Sequence, residues 1–318
     1  MSQTTLIDLQ ASIQDRSAFR SLADYFKLGE AFLQFTQALQ PTRIISPSHH
    51  NYIFYQYDVV HHHRITRPLN VELFIESTNE FKVVFERFIT FLNDLRQHQA
   101  AILDDKMAER YIASNEINKA VYTIQQSIGC VGDSFDNSNQ ARKRIGQLFE
   151  TLVKLIIQEV GLQCEPRTIN IPIPGYPGYE MAYELDVVFS HQQAIVAAET
   201  QFIHAGEIVG SVKTTSKDRI DKIFLDKYLL TKLLGRNVPV VAIFLHDVQR
   251  ARRGNSIFGI NSTFKSDHFL GYTVALNRLD GVYYVDPRPS MLSNERLRQQ
   301  ISDFQRFLVK DLWRLSSG

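Results

Sequence analysis

Cysteine is scarce in this chain, which has two, Cys130 and Cys164, among 318 residues. Two cysteines so far apart have neither the spacing of a zinc site nor the density of a disulfide framework. This scarcity excludes the class of small disulfide-stabilised secreted proteins. It predicts a protein that folds in a reducing compartment.

Long apolar segments are also missing. No run approaches the roughly 18 residues that a membrane-spanning helix needs, and the first ten residues, MSQTTLIDLQ, lack the basic and then apolar pattern of a secretory signal. We therefore expect a soluble, cytoplasmic protein with no membrane contact.

An excess of charge of either sign is the third absence. The chain has 35 basic and 34 acidic residues, a net charge of +1. Overall charge therefore does not predict a polyanionic partner, and only local basic clusters could do so. Hydrophobic residues make up 44% of the chain, which supports one large domain or two modest ones.

The chain divides at the loop sequence GDSFDNSNQ, which follows Cys130. Residues 1–135 are predicted to be mainly helical, with apolar residues at helical spacing in 17–40 and 72–98. The triplet His61–His63 is interpreted as a polar turn or a phosphate-contacting surface, because three adjacent side chains cannot all face one metal ion.

Residues 136–318 contain several predicted strands between helices. A helix is predicted over ARKRIGQLFETLVKLIIQEVG and another from near Lys217, capped by Ser216 and stopped before Gly235. Strands are predicted at VPVVAIFLHD, GYTVALN and GVYYVD, with a basic flexible loop over 249–255. A terminal helix is predicted over 294–313.

Charged residues occur within or at the ends of three apolar runs between 184 and 213. Asp186 lies within the first run, Glu199 closes the second and Lys213 closes the third. A buried charge without a partner costs several kcal/mol, so such groups are normally paired or hold a metal ion. Two carboxylates and one lysine at a sheet edge are the groups that Mg²⁺-dependent phosphodiester hydrolysis requires.

The order of these elements resembles the α/β core of the PD-(D/E)XK nucleases, a mixed central sheet flanked by helices, over about residues 141–290. The resemblance implies that Asp186 and Glu199 are metal ligands and that Mg²⁺ is the cofactor. The family pattern expects a lysine two residues after the glutamate, but this chain has Glu199-Thr200-Gln201. Gln201 can orient a water molecule but supplies no positive charge.

Lys213 is the candidate for the missing lysine. The sequence VKTTSKDR resembles the K-T-x-x-x-D/E-R stretch of a branch of type II restriction endonucleases, in which a following helix supplies a carboxylate. Asp226, thirteen residues after Lys213, is close to that spacing. Either Glu199 or Asp226 is then the second metal carboxylate, and Glu199 is preferred because Asp226 is also an ordinary residue of a helix surface.

Several further residues are candidates for contact with a metal ion or with DNA. Glu150 is either an exposed helix residue or an accessory metal ligand. Cations at the start of a helix oppose its dipole, which indicates an anionic partner for the Arg142–Arg144 triplet. The predicted DNA contacts are Arg142, Arg144, Thr214, Thr215, Ser216, Lys217, Arg219, Arg250, Arg252 and Arg253.

The resemblance implies a site-specific type II restriction endonuclease that hydrolyses double-stranded DNA with Mg²⁺ and acts as a homodimer. We expect residues 1–135 to serve DNA recognition or dimerisation. Two alternatives stay open. One is a non-catalytic DNA-binding protein on a nuclease-like scaffold, which Gln201 favours, and the other is a DNA repair or junction nuclease. Incubation with plasmid and Mg²⁺ separates them, because discrete fragments indicate site-specific cleavage.

Overall fold

A computed structural model describes residues 4–59, 62–98, 105–191, 202–217 and 219–316 of the chain. By packing, the chain forms two compact units. The first comprises Met1–Phe91, Asn115–Leu152 and Asp247–Thr263, and the second comprises Leu92–Ser114, Val153–His246 and Phe264–Gly318. No helix in the described ranges is both long and apolar enough to cross a membrane.

The helices and strands alternate along the chain. The helices are α1 Leu6–Gln14, α2 Leu22–Leu39, α3 Thr78–Gln97, α4 Asp105–Ser114, α5 Glu116–Gly132, α6 Ser138–Glu159, α7 Ile220–Leu234, α8 Ser266–Ala275, α9 Pro289–Ser293 and α10 Phe304–Arg306, continued by a π-helical turn Phe307–Asp311 and by α11 Leu312–Ser316. The strands are β1 Thr42–Ile45, β2 Tyr52–Val59, β3 His62–Ile65, β4 Leu69–Asn70, β5 Gln163–Pro172, β6 Glu180–Ser190, β7 Ile208–Thr215, β8 Val240–His246, β9 Val248–Arg253, β10 Ser256–Ser262, β11 Gly281–Asp286 and β12 Ile301–Asp303.

The second unit is built on a six-stranded sheet in the order β12-β11-β8-β7-β6-β5. Strands β5, β6 and β7 pair antiparallel, whereas β7, β8, β11 and β12 pair parallel. Val188 packs in a cluster with Phe224 of α7, while its neighbour Phe189 meets Phe307. Successive strand residues face opposite sides, so helical segments cover both faces, and the expected fold class, a mixed sheet flanked by helices, is confirmed.

The core elements predicted in residues 136–318 are confirmed where the apolar pattern is strong. Strand β8 is buried at every position, and α6 buries its stripe of Ile145, Leu148, Leu152 and Ile156. Helix α7 stops at Gly235, whose φ of 67° is the left-handed cap expected there. Strand β5, which contains Pro166 and Pro172, lies at the sheet edge, where a residue without an N–H group is tolerated.

Three sequence predictions in the second unit are wrong. Residues of GYTVALN belong to α8 instead of a strand, because Phe269 anchors this segment in the core as a helix. The segment 294–313 is not one helix: Ile301–Asp303 pairs parallel with β11 before the helical turns begin. Ser216 does not cap a helix at Lys217, since α7 begins at Ile220 and Arg219 occupies the cap position.

The first unit contains a sheet that the sequence pattern did not predict, with β1, β2 and β3 in that order and β4 paired to β2. The flexible loop expected over 249–255 is instead part of an antiparallel hairpin formed by β9 and β10, which is the second β structure of this unit.

Helix α5 is buried along almost its whole length. It carries Gly129, where the guanidinium of Arg67 lies so close that a Cβ atom would clash with it, and Arg67 binds Asp133 through two nitrogens.

A buried ion pair fastens the edge strand β5 to the segment before β7. The guanidinium of Arg167 donates to both carboxylate oxygens of Glu207, at 2.8 and 2.7 Å, and to the carbonyl of Phe202. Glu207 also accepts the backbone N–H of His204 at 2.7 Å. The Glu207 side chain is 2% exposed, so its charge depends on this partner.

Arg167→Met should lower the free energy of unfolding by about 3–5 kcal/mol, because it leaves a buried carboxylate without its partner. Denaturant unfolding measures the change. Lys154→Met is the matched control: its partner Glu165 is half exposed, and that loss should stay below about 1 kcal/mol. Equal losses in the two variants would contradict the assignment of a structural role to the buried pair.

Candidate active site

A β-bulge in β6 sets the direction of the Asp186 side chain. The pairing with β5 moves from Val188↔Glu165 to Leu185↔Arg167, so Asp186 and Val187 together oppose Pro166. Because a proline has no N–H group to donate to the ladder, regular pairing is interrupted at this point. Bulges of this kind turn a side chain away from strict alternation and occur frequently beside active sites.

Asp186 continues the link between β6 and β7 where backbone pairing ends. The ladder joins Phe189 to Ile208, Val188 to Val209 and Val187 to Gly210. One residue further, the Asp186 Oδ2 atom accepts the backbone N–H of Val212 at 2.8 Å and the hydroxyl of Ser211 at 3.2 Å. The carboxylate is therefore held in place by β7 itself.

Lys213 completes this contact from the next position of β7. Its Nζ atom lies 2.5 Å from Asp186 Oδ2, with the two side chains 29% and 15% exposed, respectively. The parallel neighbour β8 pairs with β7 on the other side, with Lys213 opposite Phe244. A cation and an anion are thus positioned side by side on adjacent strands and both retain access to solvent.

Asp226 lies near this pair on α7. Burial raises the pKa of its carboxyl group, the nearby charge of Lys222 lowers it, and the charges of Asp186 and Lys213 act on it in opposite directions. Asp226 in turn contributes to raising the pKa of Tyr183, which burial raises most. Asp186, Lys213 and Asp226 therefore form one electrostatic cluster, which we call the carboxylate–lysine cluster.

The rotation of α7 is fixed by the residue after Asp226. The ammonium of Lys227 is buried and donates to the Arg278 carbonyl and to Asp280 Oδ2, each at 2.6 Å. Asp280 Oδ2 also accepts the backbone N–H of Val240 at the start of β8. Since α7 is attached to the sheet here, Asp226 is held at a set position on the helix.

Glu199 and Gln201, the other two predicted catalytic residues, lie outside the described residues. The chain that follows them is anchored, because the Phe202 carbonyl and the His204 N–H group belong to the Arg167–Glu207 network. Glu150 lies half-buried on the part of α6 that belongs to the first unit. Its accessory metal role stays a prediction.

The predicted DNA contacts differ in exposure. Thr214 and Thr215 are half-buried at the end of β7, Ser216 is buried, and Lys217 and Arg219 are exposed in the turn before α7. In the first unit, Arg142 is exposed and bonds to Asn139. Arg144 donates to the carbonyls of Ile13 and Asp15, which fastens the end of α1.

Sequence analysis missed Ser211, Pro166 and Lys227. Ser211 had a detectable signal, because it stands two residues before Lys213 and therefore on the same side of β7. Pro166 has its effect through a partner strand, and the pairing of strands is not visible in a single segment. Lys227 is a lysine within a predicted helix, a pattern typical of an exposed side chain, whereas the structure shows it buried against Asp280.

No protein-family model and no curated protein matches this chain. Among solved structures, it is similar to the Type IIP restriction endonuclease Kpn2I, with a TM-score of 0.65 and 17% identity over 98% of this chain and 96% of that chain. It also matches the restriction endonuclease PspGI in complex with substrate DNA, with a TM-score of 0.39 and 15% identity over 74% and 93%. The likeness to Kpn2I shows that this chain has a type II restriction-endonuclease-like fold.

Asp226→Asn should stabilise the protein at about pH 7, because a carboxyl group whose pKa is raised on folding loses stability as pH rises through that folded-state pKa. The gain should shrink as pH falls through the raised folded-state pKa toward the ordinary aspartate value of 3.8, and vanish below it, because the side chain is then protonated in both the folded and the unfolded protein. Thermal unfolding across this pH range measures it.

Asp221→Asn is the matched control, since Asp221 is exposed in the first turn of the same helix. A carboxylate there favours the helix dipole, so this change should give no gain at neutral pH. If the unfolding temperatures of native protein and Asp226→Asn depended on pH in the same way, burial would not disfavour the charged form of Asp226.

Proposed function

We propose that this chain is a site-specific, Mg²⁺-dependent deoxyribonuclease that hydrolyses double-stranded DNA in the manner of a type II restriction endonuclease. The proposal rests on the carboxylate–lysine cluster, whose residues lie on β6, β7 and α7 of a type II restriction-endonuclease-like fold. The likeness to Kpn2I, a restriction endonuclease, supports it. The chain's two carboxylates and one ammonium are the side chains that such hydrolysis needs.

The Asp186 carboxylate fits a magnesium ligand. Its hydrogen bonds from the described residues all go to Oδ2, and none of those residues donates to Oδ1. No group of three or more His, Cys, Asp or Glu able to hold a metal occurs in the described ranges, but Mg²⁺ binds through one or two carboxylates and keeps several waters. When bound, Mg²⁺ would lower the pKa of a coordinated water and neutralise charge on the scissile phosphate.

Asp226 is our candidate for the second carboxylate, in place of the Glu199 preferred from the sequence. It lies within the electrostatic reach of Asp186 and Lys213. Burial disfavours its charged form, and a cation beside it would compensate for that cost. Asp226 lies on the helix that follows Lys213. In the branch of restriction endonucleases whose K-T-x-x-x-D/E-R stretch VKTTSKDR resembles, the helix in this place also supplies a carboxylate.

Lys213 would supply the positive charge that Gln201 lacks. Its ammonium is held by Asp186 and is partly exposed, so a phosphate oxygen can approach it. A preorganised donor aimed at developing negative charge stabilises the transition state by about 3 kcal/mol. The same ammonium could orient the attacking water toward phosphorus.

Double-stranded DNA is the proposed partner, and two copies of the chain would cut its two strands. The exposed Lys217 and Arg219 precede the N-terminus of α7, where backbone N–H groups also favour an anion. Because both residues closely follow Lys213 in the sequence, we propose that they contact phosphates of the DNA. A two-fold dimer would match the pseudo-symmetry of a palindromic site.

Asp186→Ala should abolish cleavage of plasmid DNA in Mg²⁺ while DNA binding in Ca²⁺ persists, because binding depends on many phosphate contacts. Fragment analysis by gel measures cleavage, and a gel-shift assay measures binding. The control Asp221→Ala removes an exposed carboxylate of α7 and should leave the fragments unchanged. A folded Asp186→Ala protein that still cuts would remove Asp186 from the mechanism.

Asp226→Ala should strongly lower the cleavage rate and weaken the dependence of the residual rate on Mg²⁺ concentration, whereas Glu199→Ala should stay partly active. The reason is that Asp226 lies within the electrostatic reach of Asp186 and Lys213, so a metal ion bound to Asp186 could be shared with it. Single-turnover rates over a Mg²⁺ titration compare the two variants. An inactive Glu199→Ala beside an active Asp226→Ala would restore Glu199 as the second ligand.

Lys213→Ala should lower the single-turnover cleavage rate about a hundredfold and change DNA affinity little. Adding Gln201→Lys to that variant should recover part of the rate by restoring a cation at the family's usual position. If Lys213→Ala instead weakened binding and flattened its salt dependence, with the rate of the saturated complex unchanged, Lys213 would only contact backbone phosphate.

A further inference from the structure

The β9–β10 hairpin is a basic ribbon without acidic residues. From Val248 to Thr263 it has the sequence VQRARRGNSIFGINST, with three arginines and no aspartate or glutamate. Arg250, Arg252 and Arg253 are all exposed. Three positive charges concentrated here differ from the almost balanced charge of the whole chain, which is +1.

The base of this ribbon is fixed to the first unit. Val248 and Ile260 are buried in a cluster with Tyr52 and Phe54, and Phe258 packs its ring edge to face with Phe54. The Ile260 N–H group donates to the Ser48 hydroxyl at 2.8 Å. The ribbon is therefore a rigid element, and binding through its arginines would not require a loop to become ordered first.

The three arginines differ in their freedom. Arg253 lies across Gly259, where a Cβ atom would come within 2.4 Å of its Cγ, and its guanidinium bonds to Asn261. Arg250 and Arg252 have no carboxylate partner among the residues that the structure describes. They stand two apart on β9 and therefore share one face of the ribbon.

A second exposed hairpin of the chain provides a contrast. The outer half of β5 and β6, from Arg167↔Leu185 to Pro172↔Glu180, pairs beyond the β6–β7 ladder. Its exposed face carries Glu180 and Glu184, which would repel a phosphate backbone. Of these two hairpins, the β9–β10 ribbon has the charge that a polyanion attracts.

We propose that the β9–β10 ribbon enters the major groove of the DNA and that Arg250 and Arg252 read guanine bases there. This inference rests on the proposed function and names the element that selects the sequence. The major groove admits a two-stranded β-ribbon, and arginine is the side chain that bonds bidentately to guanine O6 and N7. Arg250 and Arg252 are about 6.8 Å apart along the strand, the length of about two base-pair steps of 3.4 Å.

The test measures base preference separately from cleavage. The full-length protein selects bound duplexes from a pool with a randomised centre, in Ca²⁺, and sequencing gives the relative affinity for each base pair. Arg250→Lys and Arg252→Lys keep the charge but lose the bidentate fork. Each should reduce the preference for one G·C pair, and its symmetry mate, about tenfold or more.

Further variants and their unfolding temperatures separate base recognition from the effects of charge and of folding. Arg16→Ala removes one exposed arginine of the first unit outside the ribbon and should leave every base preference unchanged. Arg250→Ala and Arg252→Ala should lose the same preferences as the lysine variants, with an additional uniform loss of affinity. Unfolding temperatures near that of the native protein show that the exposed substitutions leave the fold intact.

Distinct outcomes overturn the two proposals. If the native protein cuts at defined sites and the lysine variants keep every preference, the ribbon does not read bases and the nuclease assignment stands. If the alanine variants weaken binding equally for all sequences, the arginines only contact phosphates, which also overturns base recognition. If the native protein neither binds nor cuts DNA, the nuclease proposal fails and the ribbon proposal fails with it.

Discussion

The candidate site depends on one contact, in which the carboxylate of Asp186 on β6 bridges to the amide of Val212 and the ammonium of Lys213 on β7. Backbone pairing between the two strands ends just before it. The carboxylate thus connects the strands and belongs to the carboxylate–lysine cluster. The opposing charges stabilise each other at low solvent exposure, where either alone would be costly.

The surrounding structure serves to hold this contact. Pro166 on the edge strand interrupts the ladder opposite Asp186, and the resulting bulge turns that side chain. Lys227 fastens α7 through Asp280, which keeps Asp226 at the cluster. The raised pKa of Asp226 indicates a carboxylate that would be more stable beside a cation.

The fold class, the strands carrying Asp186 and Lys213, and helix α6 could be predicted because long apolar patterns dominate there. The contact between Asp186 and Lys213 joins residues 27 positions apart, so local periodicity indicated only that both lie on strands. The segment GYTVALN has β-forming residues, yet packing around Phe269 makes it helical, since tertiary contacts override weak propensity. The Arg250–Arg253 stretch resembled a loop because it is followed directly by Gly254 and Asn255, which are typical turn residues. These two residues form the turn across which it pairs with β10.

We propose that Asp186 is the principal metal ligand of a DNA-cleaving centre beside Lys213. A crystal structure of the protein with duplex DNA and Mn²⁺, with the metal located by its anomalous scattering, tests this most directly. We expect a Mn²⁺ peak on Asp186, with a second carboxylate and a phosphate oxygen in its coordination sphere and the Lys213 ammonium close to that phosphate. A metal bound to DNA at a site away from Asp186 would contradict it.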